Sequence, residues 1–216
     1  MSGQLIFDLP TPDNYNSQDY FVSSSNEDAA NLIKLFPKWH NNGMVIRGPE
    51  KSGKTHIAHI WKSAANAKLY DFKTNLDINK ISLTDNCIFD NFHLLPEENE
   101  ETFFQIYNDI IYNKKYILIL IGSDDFSIKL KDLKSRIKAL NSAQLNDPDD
   151  KLIHAILLKF FHDNQIIVAP EVINFILNRV SRNFNEIQIF LDELNDLSIK
   201  YKSKISIPFL NKFFSF

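Results

Sequence analysis

The stretch Gly48-Pro49-Glu50-Lys51-Ser52-Gly53-Lys54-Thr55 brings two glycines, a lysine and a hydroxyl together at the spacing G-x-x-x-x-G-K-[ST]. Such a loop suits phosphate. Glycine at 48 and 53 lets the backbone bend and approach a ligand where a Cβ would obstruct it. Successive backbone N–H groups and the positive end of a following helix can then point at phosphate oxygens. Lys54 is expected at the β- and γ-phosphates, Thr55 on a magnesium ion, and Pro49, Glu50, Lys51 and Ser52 around the phosphate chain. The pattern does not name a reaction, because the same loop serves kinases, motors, switches and assembly factors.

A second group is Cys87-Ile88-Phe89-Asp90, an apolar run ending in an acid. It reads as a buried strand whose Asp90 would hold magnesium as a Walker B aspartate, although an apolar strand ended by a capping acid has the same pattern. Asn91 follows, where sites that hydrolyse ATP usually carry Glu or Asp to orient water. An amide cannot take up a proton as a base, so slow intrinsic hydrolysis is expected.

These residues need a scaffold that aligns them. An apolar strand over 44–47 leads into the loop and a helix over 54–65 leads out. Strands are predicted at 68–72, 87–90 and 117–121, a helix at 102–112, and one more short strand at 143–145. Strands alternating with helices imply an α/β fold with a mostly parallel sheet covered on both faces. After Asp147-Pro148, read as a cap followed by proline in the first turn, strands give way to helices. Leu152, Ile153, Ile156, Leu157 and Phe160 recur at helical spacing, as do Val172, Ile173, Ile176 and Leu177, and then Ile187, Phe190, Leu191 and Leu194. Pro208 begins a last helix. The expected organisation is an arm over 1–15, an α/β nucleotide-binding core over 16–146 and a small all-α lid over 147–216.

The whole chain is consistent with this plan. Its 216 residues are 44% hydrophobic, enough for a substantial core. A formal charge of −3 offers no basic footprint, so strong direct binding to DNA is not expected, and protein or nucleotide partners are. The single cysteine, Cys87, cannot form an internal disulfide, and no charged-then-apolar leader opens the chain, which points to the cytoplasm. Its most apolar run, 116–121, is far short of the ~20 residues that cross a bilayer. His56 and His59 lack a third ligand at zinc-like spacing. Glu97, Glu98, Glu100 and Glu101 read as a solvated acidic helix start, and Phe209, Phe213, Phe214 and Phe216 as core packing or a partner surface.

The chain resembles the AAA+ domain of the bacterial replication initiators of the DnaA family, and more closely the shortened Hda branch. The resemblance rests on Asp19-Tyr20-Phe21-Val22 with Ser25-Asn26 and Ala29-Ala30, on residues 48–61, and on 87–91. It implies a P-loop AAA+ core with a helical lid, ATP or ADP with Mg2+ as cofactor, and Phe21 and Val22 beside the adenine. It also implies that Asp124, in Gly122-Ser123-Asp124, is the sensor 1 residue and that Arg136, in Leu133-Lys134-Ser135-Arg136, is an arginine finger acting in trans. Two positions depart from the family pattern. Asn185 stands at the lid's sensor 2 arginine, with Arg182 three residues earlier, and Asp132 stands where a second arginine is common. The helix-turn-helix DNA-binding domain of full DnaA is not expected after the lid.

Gln4-Leu5-Ile6-Phe7-Asp8-Leu9 is similar to the short peptide by which bacterial proteins bind the DNA polymerase sliding clamp. Leu5, Phe7 and Leu9 would enter an apolar groove and the Gln4 amide would set the register, although a strand packing on its own domain has the same alternation. The resemblances imply a regulator of replication initiation with DnaA and the clamp as partners and homo-oligomers as a further possibility. The alternatives are an autonomous DnaA-family ATPase or helicase-loading factor, against which Asn91 argues, and a small-molecule kinase, which leaves Arg136 and the arm without a use.

Overall fold

The computed structural model describes residues 20–122 and 128–214. Strands β1 (Gly43–Arg47), β2 (Lys68–Asp71), β3 (Cys87–Asp90), β4 (Ile117–Ile121) and β5 (Asn141–Gln144) form one sheet. Its order is β2-β3-β4-β1-β5 and every pairing is parallel. Parallel neighbours need crossovers, and helices supply them: α2 (Lys54–Ala65) after β1, α3 (Glu100–Tyr112) after β3 and α4 (Lys131–Lys138) after β4. Helix α1 (Glu27–Lys34) precedes the sheet.

Alternation along the strands divides the core in two. Val45, Phe89, Ile117, Ile119 and Ile121 pack with Phe103, Ile110, Leu133 and Ile137 on one face. Met44, Ile46, Ile88, Leu118 and Leu120 pack with Ile57, Trp61, Ala29 and Trp39 on the other. Both faces of β4 are covered, which is why its sequence is an unbroken apolar run. Trp39 and Trp61 stack at 4.9 Å, with Phe36 edge-on to both.

The C-terminal part is helical: α5 (Asp150–Asp163), α6 (Pro170–Leu177), α7 (Phe184–Tyr201) and α8 (Ile207–Phe213), closing around a cluster of their own. The apolar positions read from the sequence supply that cluster, except Leu152, which lines the cleft beside the phosphate-type loop. Asp147-Pro148 is not the start of α5, however. Asp149 is the cap: its Oδ1 accepts the Leu152 N–H at 2.8 Å, so the helix begins at Asp150 and Pro148 lies outside it. Pro170 does open α6, where its missing N–H costs nothing. Phe209 is buried and Phe213 and Phe214 pack beside it, so these aromatics belong to the helical core; Phe216 lies outside the described residues.

The acidic run is not uniformly solvated. Glu100 is 5% exposed, and its carboxylate accepts the backbone N–H of Lys129 at 3.1 Å and of Leu130 at 2.7 Å. Leu130 caps α4 without a side-chain bond of its own. The buried acid thus satisfies orphan donors at the entry of another helix, across 30 positions of chain.

Candidate functional site

The phosphate-type loop runs between β1 and α2, at the C-terminal edge of the sheet. Gly53 has φ +90°, a conformation that a side chain rarely adopts, and it caps α2. A Cβ on Gly48 would stand 2.8 Å from Leu145 Cβ and 3.0 Å from the Leu145 carbonyl oxygen. Glycine is therefore required at 48 by packing on β5's exit, and at 53 by backbone torsion. Ser52 Oγ is buried and has no hydrogen-bond partner among the described residues. An orphan hydroxyl in such a loop marks a place where an acceptor is missing.

Lys54 folds back over the loop, its Nζ donating to Gly48 O at 2.8 Å and to Pro49 O at 2.6 Å. Burial lowers its ammonium below the ordinary lysine value, while the Asp90 and Glu50 carboxylates pull it back up. The Thr55 hydroxyl donates to Asp90 Oδ2 at 2.8 Å, and the Asn91 N–H donates to Asp90 Oδ1 at 2.7 Å. Asp90 is 5% exposed. A hydroxyl and a carboxylate in contact, beside a lysine and a glycine-walled loop, form a hard oxygen donor set of the kind magnesium takes together with phosphate.

A cleft of about 960 Å³ opens beside the loop. Tyr20, Phe21 and Val22 line one side, Lys51, Ser52, Gly53 and His56 the floor, and Ile156, Lys159, Phe184 and Gln188 of the helical part the other side. Phe21 and Val22 are each 45% exposed, and the segment carrying them is fixed by Asn26, whose amide donates to Phe21 O and accepts from Ser23 N, both at 2.9 Å. Tyr20 meets His56 edge-on at 5.2 Å, and burial pushes its phenol up to about 12, with Asn26 acting in the opposite direction. An apolar wall next to a phosphate-type loop suits a planar base joined to a phosphate chain.

The structure brings Phe21, Val22 and the loop residues Lys51, Ser52 and Gly53 to this cleft, and Thr55 to Asp90. Arg136 sits elsewhere. It is exposed in the last turn of α4, makes no hydrogen bond or ion pair among the described residues, and is absent from the cleft lining. Neither Asn185 nor Arg182 lines the cleft. Arg182 is engaged with the Leu177 and Val180 carbonyls and, at 2.8 Å, with Asp150. Asp124 and the arm residues Gln4, Leu5, Phe7 and Leu9 lie outside the described residues. Sequence reasoning gave no separate role to Tyr20, His56, Phe184 or Gln188. Tyr20 was visible within the quoted aromatic segment, whereas the other three carry no signal until the fold assembles them.

Comparison with known proteins follows the same lines. The family described as "Hda, lid domain" matches residues 150–214. The DnaA of Buchnera aphidicola subsp. Cinara cedri is 27% identical over 79% of this chain and 45% of its own length. Thermotoga maritima DnaA domain III superposes with a TM-score of 0.73 at 17% identity, covering 95% of this chain and 99% of that one. The chain has the AAA+ fold, is similar to DnaA proteins over most of its length, and matches the Hda lid over residues 150–214. It spans about half the length of the DnaA relatives it matches, at 45%, 44% and 51%. An uncharacterised Haemophilus influenzae protein is 25% identical over 77% of this chain and 79% of that protein's length. AMPPCP-bound DnaA from Aquifex aeolicus shares the AAA+ fold, with a TM-score of 0.68, 18% identity, and coverage of 87% of this chain and 66% of that one. No helix among the described residues is long and apolar enough to cross a membrane.

Proposed function

We propose that this chain is an adenine-nucleotide-binding regulator of replication initiation, Hda-like, that presents Arg136 to ATP bound by DnaA and promotes its hydrolysis. The observation that carries the reading is the match of the helical part, residues 150–214, to the Hda lid. The placement of Arg136 supports it. An arginine with no ionic partner among the described residues, exposed on α4 and outside the lining of its own cleft, is available to a neighbouring subunit's phosphates rather than to its own.

In its own site the loop N–H groups and Lys54 hold the phosphates, and Thr55 and Asp90 hold Mg2+, which supplies charge neutralisation when bound. Lys54 must then exchange the Gly48 and Pro49 carbonyls for phosphate oxygens. Phe21 and Val22 cover the base, and the helical wall closes the far side. A nucleotide held this way contacts the N-terminal segment, the loop and the lid at once, so binding stabilises one arrangement of the three. Asp124 serves as sensor 1 on the γ-phosphate side. Gln4, Leu5, Phe7 and Leu9 attach the chain to the sliding clamp, and domains fall at 1–15, 16–146 and 147–216 in this reading.

The deciding experiment measures ATP hydrolysis by purified DnaA with and without this protein and DNA-loaded clamp. Stimulation that needs all three components supports the reading. DnaA turnover that is unchanged by the complete mixture rejects it.

A further inference from the structure

The magnesium-side acid Asp90 has an amide after it rather than a second acid, yet a second carboxylate stands close by on the adjacent strand. Asp71 ends β2, and in the parallel β2–β3 register it is the direct partner of Asp90. Asn91, with φ +53°, turns back so that its Nδ2 donates to Asp71 Oδ1 at 2.7 Å while its backbone N–H holds Asp90 Oδ1. Asp71 Oδ1 also accepts the Lys73 N–H at 2.8 Å. Two donors thus occupy one oxygen, and Oδ2 takes no hydrogen bond among the described residues. Because Asp71 can only accept, the Asn91 amide is locked in one orientation, and its own oxygen takes no hydrogen bond among the described residues. Lys73, two residues on, pairs with Glu50 of the phosphate-type loop at 3.3 Å, which ties the end of β2 to that loop.

We infer that Asp71 is the carboxylate that handles the attacking water at this site, in the place of the acid that position 91 lacks. The inference rests on the nucleotide-binding reading above. Water donates one hydrogen to the Asn91 amide oxygen, which orients it, and the other to Asp71 Oδ2. Its oxygen bonds to the γ-phosphorus as the bond from that phosphorus to the bridging oxygen breaks, the bond electrons leave with ADP, and the released proton passes to Asp71 and on to solvent. Hydrolysis is slow because the carboxylate is set one strand away from the acid that holds magnesium, but it is not zero.

The test uses the full chain, with single-turnover hydrolysis of ATP and, separately, equilibrium titration of a non-hydrolysable ATP analogue with Mg2+. Asp71→Asn preserves an acceptor for Asn91 and removes only the charge, so a structural role survives it. The expected result is a hydrolysis rate lower by about 10²-fold, the low end of general-base contributions, with analogue affinity within about twofold of wild type. The exchanged pair Asp71→Asn with Asn91→Asp keeps the hydrogen bond, moves the acid beside Asp90, and should restore hydrolysis to the wild-type rate or above. Wild-type binding without turnover above the solvent background, an Asp71→Asn rate equal to wild type, or an exchanged pair as slow as the single variant would each overturn the inference and leave the nucleotide reading standing. Failure of the wild-type chain to bind the analogue would instead reject the nucleotide reading, and the inference with it.

Discussion

At the scale of single residues, the loop's own contacts report what a ligand must displace. Lys54 is satisfied by two carbonyls and Thr55 by Asp90, so a nucleotide and metal bound as proposed would replace good partners rather than fill a void. Charge-assisted hydrogen bonds are worth about 1.5–3 kcal/mol net, so Lys54→Ala and Thr55→Ala should each weaken Mg-nucleotide binding by about tenfold or more. Titration with a fluorescent analogue reads this directly, and wild-type affinity in both variants would mean that the loop holds no nucleotide. Cys87 makes a contrasting case. It is fully buried on β3, its Sγ donates to the Ser82 and Asp85 carbonyls at 3.4 Å, and burial pushes the thiol up to about 12. With so little thiolate present, iodoacetamide should leave the folded chain unmodified at pH 8 and label it fully once it is denatured. Rapid labelling of the native protein would contradict that burial.

At the scale of elements, the strands and the long helices were readable because their apolar residues repeat. The helix Lys54–Ala65 and the strands Cys87–Asp90 and Ile117–Ile121 fall where the pattern puts them. Helices α1 and α4 were not read, and for a physical reason. Helix α1 buries Ala29 and Ala30, which barely register as apolar, and α4 buries only Leu133 and Ile137 among six polar positions. Glu100 was misread because nothing in a run of four acids tells which one turns inward. The contact from Asn91 to Asp71 was likewise invisible, since it exists only once β2 and β3 lie side by side. Glu100→Ala should leave the Lys129 and Leu130 N–H groups unpaired and cost about 1–3 kcal/mol. Denaturant unfolding measures the loss, and amide exchange should place it at the start of α4. An unchanged midpoint would mean that solvent replaces the carboxylate without penalty. Since α4 carries Arg136, Arg136→Ala belongs to the same element and separates display from stability. It should retain fold and nucleotide binding yet lose stimulation of DnaA by a large part of the roughly 10³–10⁵ that trans-acting arginines contribute. Full stimulation by that variant would dismiss the finger.

At the scale of the whole molecule, one short segment links the parts. Tyr20 packs against Gly53, Asn26 braces Phe21, and the Ser24 hydroxyl donates to Asp149 Oδ2 at 2.6 Å, at the start of the helical part. Burial opposes ionisation of Asp149, but the hydrogen bonds from Ser24 and the Leu152 N–H outweigh it and hold the carboxyl below its ordinary value. The walls of the cleft are therefore joined to one another even before a ligand bridges them, which suits a nucleotide that organises a surface more than one that is rapidly consumed.

The same scale includes the proposed attachment to the clamp. Leu5, Phe7 and Leu9 each bring apolar surface worth ~1.5–3 kcal/mol on full burial, and ordering a short peptide offsets much of the total. The net should lie near the ~8 kcal/mol of a micromolar complex or weaker, hence reversible. A closed clamp ring repeats its groove, so two copies of this chain held together would gain avidity without any new contact. Replacing Leu5 and Phe7 together by alanine should abolish retention on immobilised clamp while the Mg-nucleotide titration stays at wild type, because in the proposed reading residues 1–15 serve the clamp and 16–146 the nucleotide. If the double variant instead loses nucleotide binding or unfolds, the segment packs on its own domain. The clamp would then have to be dropped from the proposed function, leaving the Hda lid match and Arg136 to support a role in replication initiation without it.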